Sequence, residues 1–454
     1  MKLKSINPFS GEVTAEFDTL PDESCREAVL KGKEAFEKWR KLSVSDRVKP
    51  VAGLASIFRQ KKREYARIIT AEMGKPIRDA VSEIEKCALL CDYYHQNAEE
   101  FLKSELIETE AAKSYVVFDP LGVILGIMPW NFPFWQVARW AVPTLAAGNV
   151  CLLKHASNVP ITALEIEKIF REAGFPEHVF QTLLIGPQGA ERLIEQDQIE
   201  GVSLTGSVGA GSKVSSLAGK NLKKVVLELG GSDPFMVLED ADLEKAARAA
   251  VRSRMANAGQ SCIAAKRLIV MESVSEAFSE KFVDVMNGLR IGDPMDESTD
   301  LGPVAKKEVL EALGKQLDDA LEKGAMAHRG PEPPNHGYFF QPVVLTKLTE
   351  EMLVLREEVF GPIAPVITAR SEEEMIRIAN ATEFGLGAAI WTRDISKAQR
   401  LAGEIASGFL AINGIVKSDP RLPFGGVKKS GFGRELSHFG LKEFVNIKTI
   451  VIGG

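Results

Sequence analysis

The hydrophobic pattern divides the chain into a helical first part and a later part in which strands and helices alternate. Residues 22–110 carry apolar side chains at three- and four-residue spacing, for example over Ser45–Ala66, which predicts amphipathic helices. Short β-branched runs then alternate with helical segments, a pattern typical of βαβ units and a parallel sheet. The predicted strands of this series are Gly122–Met128, Asn149–Lys154, Gln181–Ile185, Gly201–Leu204 and Lys223–Leu229.

A second series of helices and strands begins near Gly230 and predicts another α/β domain. It includes the helices Leu243–Ala258 and Val274–Leu289 and the strands Lys266–Met271, Val343–Thr346 and Ala388–Thr392. Two segments fit neither series: residues 102–120 and the C-terminal run Phe444–Ile452, which is rich in valine, isoleucine and threonine. That run reads equally as an edge strand of its own domain or as a strand that pairs with another subunit.

Composition and charge exclude several classes of protein. The 454 residues include 56 basic and 62 acidic side chains, so the net charge of −6 implies no general attraction to nucleic acid. The most apolar stretch, Leu121–Trp135, is interrupted by prolines and is shorter than the ~20 residues that cross a bilayer. Five cysteines are too few for a disulfide scaffold, and the six histidines show no paired metal spacing. We therefore expect a cytoplasmic protein with no membrane, nucleic-acid or metal partner.

A glycine-bearing turn after a predicted strand is one candidate for binding chemistry. It runs from Thr205 through Gly206 and Ser207 to Gly211 and leads into a helix, although the strict G-x-G-x-x-G fingerprint does not occur. Backbone N–H groups at the start of a helix stabilise a phosphate. The plainer alternative is an ordinary turn between a strand and a helix.

Three further residues could carry catalysis. Cys262 follows a glycine and two polar residues, which favours an accessible loop, whereas Cys87 and Cys91 lie in a helical pattern as buried structural thiols. Glu228 ends an apolar strand, where it is either a desolvated general base or a turn cap. Asn131, between two prolines, either stabilises an oxyanion or closes its own loop.

Seven short motifs follow one another along the chain: Asn7–Glu12, Pro129–Pro133, Thr205–Ser207, Leu227–Gly231, Gly259–Cys262, Glu357–Pro362 and Pro423–Gly426. Taken together, they resemble the aldehyde dehydrogenase superfamily along essentially the whole chain. The resemblance implies an α/β fold with a Rossmann-like cofactor domain (1–101 and 121–229), an α/β catalytic domain (230–437) and a small β oligomerisation segment (102–120 and 438–454). It also implies a homodimer or homotetramer.

The resemblance implies a role for each of these residues. Cys262 would attack an aldehyde carbonyl, the Asn131 amide would hold the resulting oxyanion, and Glu228 would activate water to release the acid. Glu358 and Phe360 would lie at the nicotinamide ribose, and Lys154 at the adenosine ribose. The other implied cofactor contacts are Pro129, Trp130, Ser157, Thr205, Gly206, Ser207, Gly211 and Leu229.

Two positions carry the expectations about cofactor and substrate. Many NAD-preferring members have a glutamate where this chain has Ser157, so we expect NADP to be preferred, with NAD possible. Arg139, eight residues after Asn131, matches an arginine of succinate-semialdehyde dehydrogenases, and Ser418 resembles a serine of the same branch. The alternatives are an ordinary surface arginine, another aldehyde (aliphatic, lactaldehyde or phosphorylated) and a catalytically silent relative.

Overall fold

The first large sheet is built from the βαβ units predicted between residues 122 and 229. The computed structural model describes residues 2–453 and shows six strands in this sheet, of which five are parallel. The strand order reverses between Val123–Met128 and Ile199–Thr205, and ligands of open parallel sheets bind at the carboxyl ends beside such a reversal. Across the sheet the strands are Gly431–Phe432, Lys224–Glu228, Ile199–Thr205, Val123–Met128, Val150–His155 and Phe180–Thr182.

Helices cover this sheet, and one segment that was predicted as a single helix forms two. The predicted helix Ser45–Ala66 is two helices, because Lys61 between them leaves the helical conformation (φ −106°, ψ 16°). Ser43 caps the first of the two by accepting a hydrogen bond from the Asp46 N–H. The helices of this part are Asp22–Trp39, Val44–Gln60, Lys62–Met73, Ile77–Phe101, Trp135–Ala146, Pro160–Glu172, Pro187–Ile194 and Val208–Lys220.

The second large sheet has its own core on the other side of the molecule. Its strands, in order, are Met326–Arg329, Val343–Thr346, Ile363–Ala369, Ala265–Met271, Asp233–Val237, Gly387–Trp391 and Phe409–Ile412, and only the first is antiparallel to its neighbour. The prediction of an α/β fold with parallel sheets is confirmed. The accompanying helices are Leu243–Met255, Ala256–Gly259 (a 3₁₀ turn), Glu272–Asn287, Lys307–Glu322, Leu353–Arg356, Glu372–Asn380 and Ile395–Ala402. A last short helix, Ser437–Leu441, packs instead on Trp135–Ala146 and Ile77–Phe101 beside the first sheet.

The C-terminal strand Val445–Ile452 belongs to neither large sheet. It pairs antiparallel with Lys113–Pro120, which in turn pairs with Glu105–Ile107. The strands of these two regions therefore pair within this same chain, in one three-stranded sheet, and their assignment as an oligomerisation segment stays a prediction. Two short pairs complete the strands: Lys2–Ile6 with Val13–Asp18, and Phe384–Gly385 with Val427–Lys428.

One strand crosses a predicted domain boundary. Gly431–Phe432, from the range assigned to the catalytic domain, adds to the edge of the first sheet beside Lys224–Glu228. Glycine is required there, because a Cβ at Gly431 (φ 112°) would lie 2.0 Å from the Leu227 carbonyl oxygen. The remaining domain boundaries stay predictions.

The burial of the cysteines and the hydropathy of the helices can be compared with the predictions of structural thiols and of a protein outside the membrane. Cys25, Cys87, Cys91 and Cys151 are buried, which confirms the structural interpretation of the second and third, and Cys262 is partly exposed. Among residues 2–453, no helix combines the length and the apolar character needed to cross a bilayer. The cytoplasmic location stays a prediction.

Candidate active site

Cys262 lies where two cavities meet. The first, of about 210 Å³, is lined by Asn131, Gln136, Cys262, Gly230 and eight residues predicted to bind a cofactor: Pro129, Trp130, Thr205, Gly206, Ser207, Leu229, Glu358 and Phe360. The second, of about 280 Å³, is also lined by Gln136 and Cys262, and by Arg139 and Ser418, the two residues predicted to bind substrate. A thiol in this position is accessible from both cavities.

A strained turn presents this thiol. Asn257, Ala258 and Gly259 have φ values of 56°, 52° and 73°, in the left-handed region that residues other than glycine seldom adopt. At Gly259 a Cβ would lie 2.4 Å from the Gly361 carbonyl carbon. The fully buried Arg254 holds the turn by donating to the carbonyl oxygens of Gly259 and Val359, at 3.0 and 3.2 Å, so the cysteine turn and the segment after Glu358 are fixed together.

The Asn131 amide is held on both sides. Its Nδ2 donates to the Gln260 carbonyl (3.0 Å), and its Oδ1 accepts from Gln136 Nε2 (3.1 Å), so the orientation of the amide is set. Buried His155 supports the same loop: its Nε2 lies 2.9 Å from the Pro133 carbonyl, while its Nδ1 accepts from the Ala156 N–H. A prealigned amide donor beside a nucleophile is what stabilisation of an oxyanion needs.

Burial of Cys262 favours a neutral thiol in the protein alone. Burial raises the pKa of Cys262 to about 12, and the positive charges of Lys266 and Arg139 oppose that rise. At neutral pH the sulfur therefore carries its proton, and attack on a carbonyl requires a base or an added positive charge.

Glu228 is buried but does not line either cavity. Its carboxylate points towards Gly425, where a Cβ would lie 2.9 Å from Oε1, and neither carboxylate oxygen has a hydrogen-bond partner among the described residues. Burial, and then the negative charge of Glu435, raise the pKa of Glu228 well above its usual value. The structure thus gives the raised pKa expected of a general base, but rotation of the side chain is needed to bring it to Cys262.

Arg139 is buried rather than exposed on a helix surface, and its carboxylate partner is within the chain. It is 3% exposed and forms an ion pair with the buried Glu435, while its guanidinium lies 4.8 Å from the centre of the Phe424 ring. Its Nη2 also lies 3.5 Å from Thr205 Oγ1. The sequence predicted a guanidinium free for substrate; the structure places it in the cavity wall but neutralised by Glu435.

Glu358 is oriented by two donors. Lys266 Nζ forms an ion pair with it and also donates to the carbonyls of Gly231 (2.6 Å) and Cys262 (3.0 Å), and the Gly231 N–H donates to Glu358 at 3.2 Å. The Phe360 ring packs edge-on against Trp130, with 5.7 Å between ring centres. A carboxylate fixed at the wall of the first cavity is suited to accept hydrogen bonds from ribose hydroxyls.

The first cavity has the chemistry of a dinucleotide site. Thr205 ends a strand, Ser207 caps the helix Val208–Lys220, and a Cβ at Gly211 would lie 2.6 Å from the Leu229 side chain, so the helix packs tightly on the sheet. The first N–H groups of a helix lack partners within it and stabilise a phosphate. These residues fit a bound dinucleotide.

Lys154 provides positive charge without a counter-ion. It is 8% exposed and makes no ion pair with any carboxylate of residues 2–453; burial and the charge of Lys306 lower its pKa to about 8. Ser157 follows it in the loop after Val150–His155 and is half-buried. Two neighbouring lysines, one of them buried and unpaired, fit a ligand with more than one negative charge.

Sequence reasoning missed the residues that hold the site together. Gln136, Arg254, Gln260, Lys266 and Glu435 lie outside the predicted catalytic set, yet each contacts a residue of that set or its loop. Their polar side chains are buried in the folded chain, and nothing in a single sequence marks a polar residue as buried. Of these five residues, only Gln260 lies within a motif, Gly259–Cys262, that marks it in the sequence as part of the site.

Comparison with known proteins places this geometry among enzymes. Residues 1–450 match the profile of the aldehyde dehydrogenase family. A relative from Synechocystis sp., named a probable succinate-semialdehyde dehydrogenase [NADP(+)], is 46% identical over the whole of both chains. A succinate-semialdehyde dehydrogenase [NADP(+)] from Mycolicibacterium paratuberculosis is 44% identical over all of this chain and 97% of its own. The structure of succinic semialdehyde dehydrogenase from Streptococcus pyogenes in complex with NADP⁺ superposes with a TM-score of 0.97, at 36% identity and with both chains fully covered.

Proposed function

This chain belongs to the aldehyde dehydrogenase family, and we propose that it oxidises succinate semialdehyde to succinate with NADP⁺ as the hydride acceptor. The observation that carries the proposal is the position of Cys262 between two cavities, one suited to a dinucleotide and one walled by cationic side chains. The names of the relatives from Synechocystis and Mycolicibacterium support the same substrate and cofactor.

Cys262 and Asn131 perform the first half of the reaction. The thiol proton of Cys262 passes to solvent water, Sγ attacks the aldehyde carbon, and the carbonyl oxygen becomes an oxyanion. The Asn131 amide, already oriented by Gln136 and Gln260, donates to that oxygen. A bound NADP⁺ in the first cavity would supply the hydride acceptor, and loss of the hydride would leave the acyl group on Cys262 as a thioester.

Glu228 performs the second half. After rotation towards Cys262, its carboxylate takes a proton from water, and the oxygen of that water attacks the thioester carbon. The thiolate of Cys262 then leaves, and the carboxylic acid is released. The space at Gly425, where a side chain would press against the carboxylate, lets Glu228 rest away from the thiol before this step.

The charge of the second cavity supports a substrate with a distal carboxylate. Lys75, Lys86, Arg139 and Arg252 line it, against the two acids Asp79 and Glu83. Positive charge in a partly water-excluded cavity favours an anionic substrate over an uncharged one of the same length. The proposal is tested by comparing succinate semialdehyde with butyraldehyde, which also has four carbons but no carboxylate.

The proposed preference for NADP⁺ rests on Ser157 beside Lys154. A serine hydroxyl donates to a 2′-phosphate, and the two neighbouring lysines favour its charge, whereas a glutamate at position 157 would repel it.

Replacing Ser157 by glutamate is expected to reverse the cofactor preference. The new carboxylate accepts hydrogen bonds from the ribose hydroxyls of NAD⁺ and repels the 2′-phosphate of NADP⁺, so the ratio of kcat/KM for NADP⁺ to that for NAD⁺ should fall by roughly tenfold or more. Ser157→Ala is the matched control and should change the ratio less, because it adds no negative charge. A native enzyme that already preferred NAD⁺ several-fold would contradict this assignment.

We propose that the protein works as a homo-oligomer joined through its three-stranded sheet. Ile107, Ile447 and Val451 lie on one face of this sheet and are 47%, 62% and 60% exposed, a concentration of apolar surface that a second copy of the chain would cover.

A further inference from the structure

The second cavity contains one lysine whose charge no side chain of the described residues neutralises. Lys86 lies on helix Ile77–Phe101, half-buried, and no carboxylate of residues 2–453 comes within ion-pair distance of its Nζ. The other cations that line the cavity within its buried part are neutralised, since Lys75 is paired with Glu83 and Arg139 with Glu435. Lys86 is therefore the cation in the buried part of the cavity wall that remains available to bind an anion.

The surroundings of Lys86 fix its ammonium without neutralising it. Nζ donates a hydrogen bond of 2.6 Å to Ser418 Oγ and lies 4.1 Å from the centre of the Trp135 ring. Burial and the like charge of Arg139 lower the pKa of Lys86 to about 8, as expected of a cation without a counter-ion. A bound carboxylate would reverse that effect.

Ser418 completes a site for one carboxylate. Its hydroxyl is 6% exposed and accepts from Lys86, so its own hydrogen remains available to donate. The ammonium has three N–H groups, of which Ser418 uses one. An N–H of Lys86 and the O–H of Ser418 can thus each donate a hydrogen bond to one carboxylate, in the same cavity as Cys262.

We propose that Lys86, with Ser418, binds the distal carboxylate of the substrate and is the residue that selects a semialdehyde over an uncharged aldehyde. This inference rests on the proposed function and makes it more specific. Arg139 then acts through Glu435 instead of on the substrate. Its charge neutralises Glu435, the acid that raises the pKa of Glu228, so Arg139 keeps the pKa of the catalytic base from rising further.

The test compares selectivity in matched variants. Lys86→Met keeps most of the length of the side chain and removes its charge, so the ratio of kcat/KM for succinate semialdehyde to that for butyraldehyde should fall roughly ten- to a hundred-fold, mainly through KM. Lys86→Arg should restore part of the ratio. Lys103→Met, which removes an exposed lysine just after the same helix, should leave the ratio as in the native enzyme. Arg139→Ala should lower kcat/KM for both aldehydes. It should also shift the ascending limb of the pH profile of turnover to higher pH, because it removes a positive charge that lowers the pKa of Glu228.

A binding measurement provides a second readout that does not depend on turnover. Succinate, the product, keeps the distal carboxylate, so its Kd measured by calorimetry should rise in Lys86→Met by a similar factor. If the native enzyme prefers the semialdehyde but Lys86→Met keeps both the ratio and the Kd, the assignment of Lys86 is wrong and the proposed function stands. If the native enzyme shows no preference for the semialdehyde, the proposed function fails and this inference fails with it.

Discussion

Cys262→Ala is expected to lower aldehyde oxidation and ester hydrolysis together, each by at least about 10³-fold, because both require an acyl group on the same sulfur. The variant should still fold, since Cys262 is partly exposed at the cavities and alanine is smaller. Reduced cofactor and ester cleavage would be followed by absorbance, with circular dichroism as the check on folding.

Cys25→Ala is the matched control for this variant. Cys25 is a buried thiol on helix Asp22–Trp39 and lines neither cavity, so its removal should leave both activities in place. An alanine variant at 262 that still oxidised aldehyde at an appreciable fraction of the native rate would refute the assignment of the nucleophile.

Glu228→Gln is expected to separate the two halves of the reaction. Without a base to activate water the thioester persists, so a burst of reduced cofactor should be followed by steady turnover roughly 10²-fold slower or more. Hydroxylamine should restore turnover, because it attacks a thioester without help from a general base. Unchanged steady-state turnover would exclude Glu228 as the base.

The pH dependence provides a further check on Glu228. A general base works in its deprotonated form, and burial together with Glu435 raises the pKa of Glu228. Native turnover should therefore increase as the pH rises through that elevated pKa, and this ascending limb should be absent in Glu228→Gln. Mass spectrometry of the acylated Cys262 peptide would identify the species that accumulates.

The sequence predicts the local parts of this site well, for a physical reason. Asn131, Thr205–Ser207 and Glu358 lie in short motifs whose prolines and glycines determine the backbone over a few residues, and the structure brings all of them to one cavity with Cys262. The α/β class is equally predictable, because β-branched runs alternating with amphipathic helices have few other ways to bury their apolar faces.

What the sequence could not predict depends on contacts between distant segments. Arg139 was expected to be free for substrate, but Glu435, which arrives with the C-terminal segment, neutralises it. Lys86 was overlooked because a lysine in an amphipathic helix normally lies on the solvated face. It faces a cavity only because Trp135 and Ser418 pack beside it.

The central claim is tested most directly by measuring kcat/KM for succinate semialdehyde and butyraldehyde, each with NADP⁺ and with NAD⁺, on the native enzyme. The pair of succinate semialdehyde and NADP⁺ should exceed each of the other three by roughly tenfold or more, the effect of one charge-assisted bond at each end of the site. Equal values for the two aldehydes, or a several-fold preference for NAD⁺, would contradict the account.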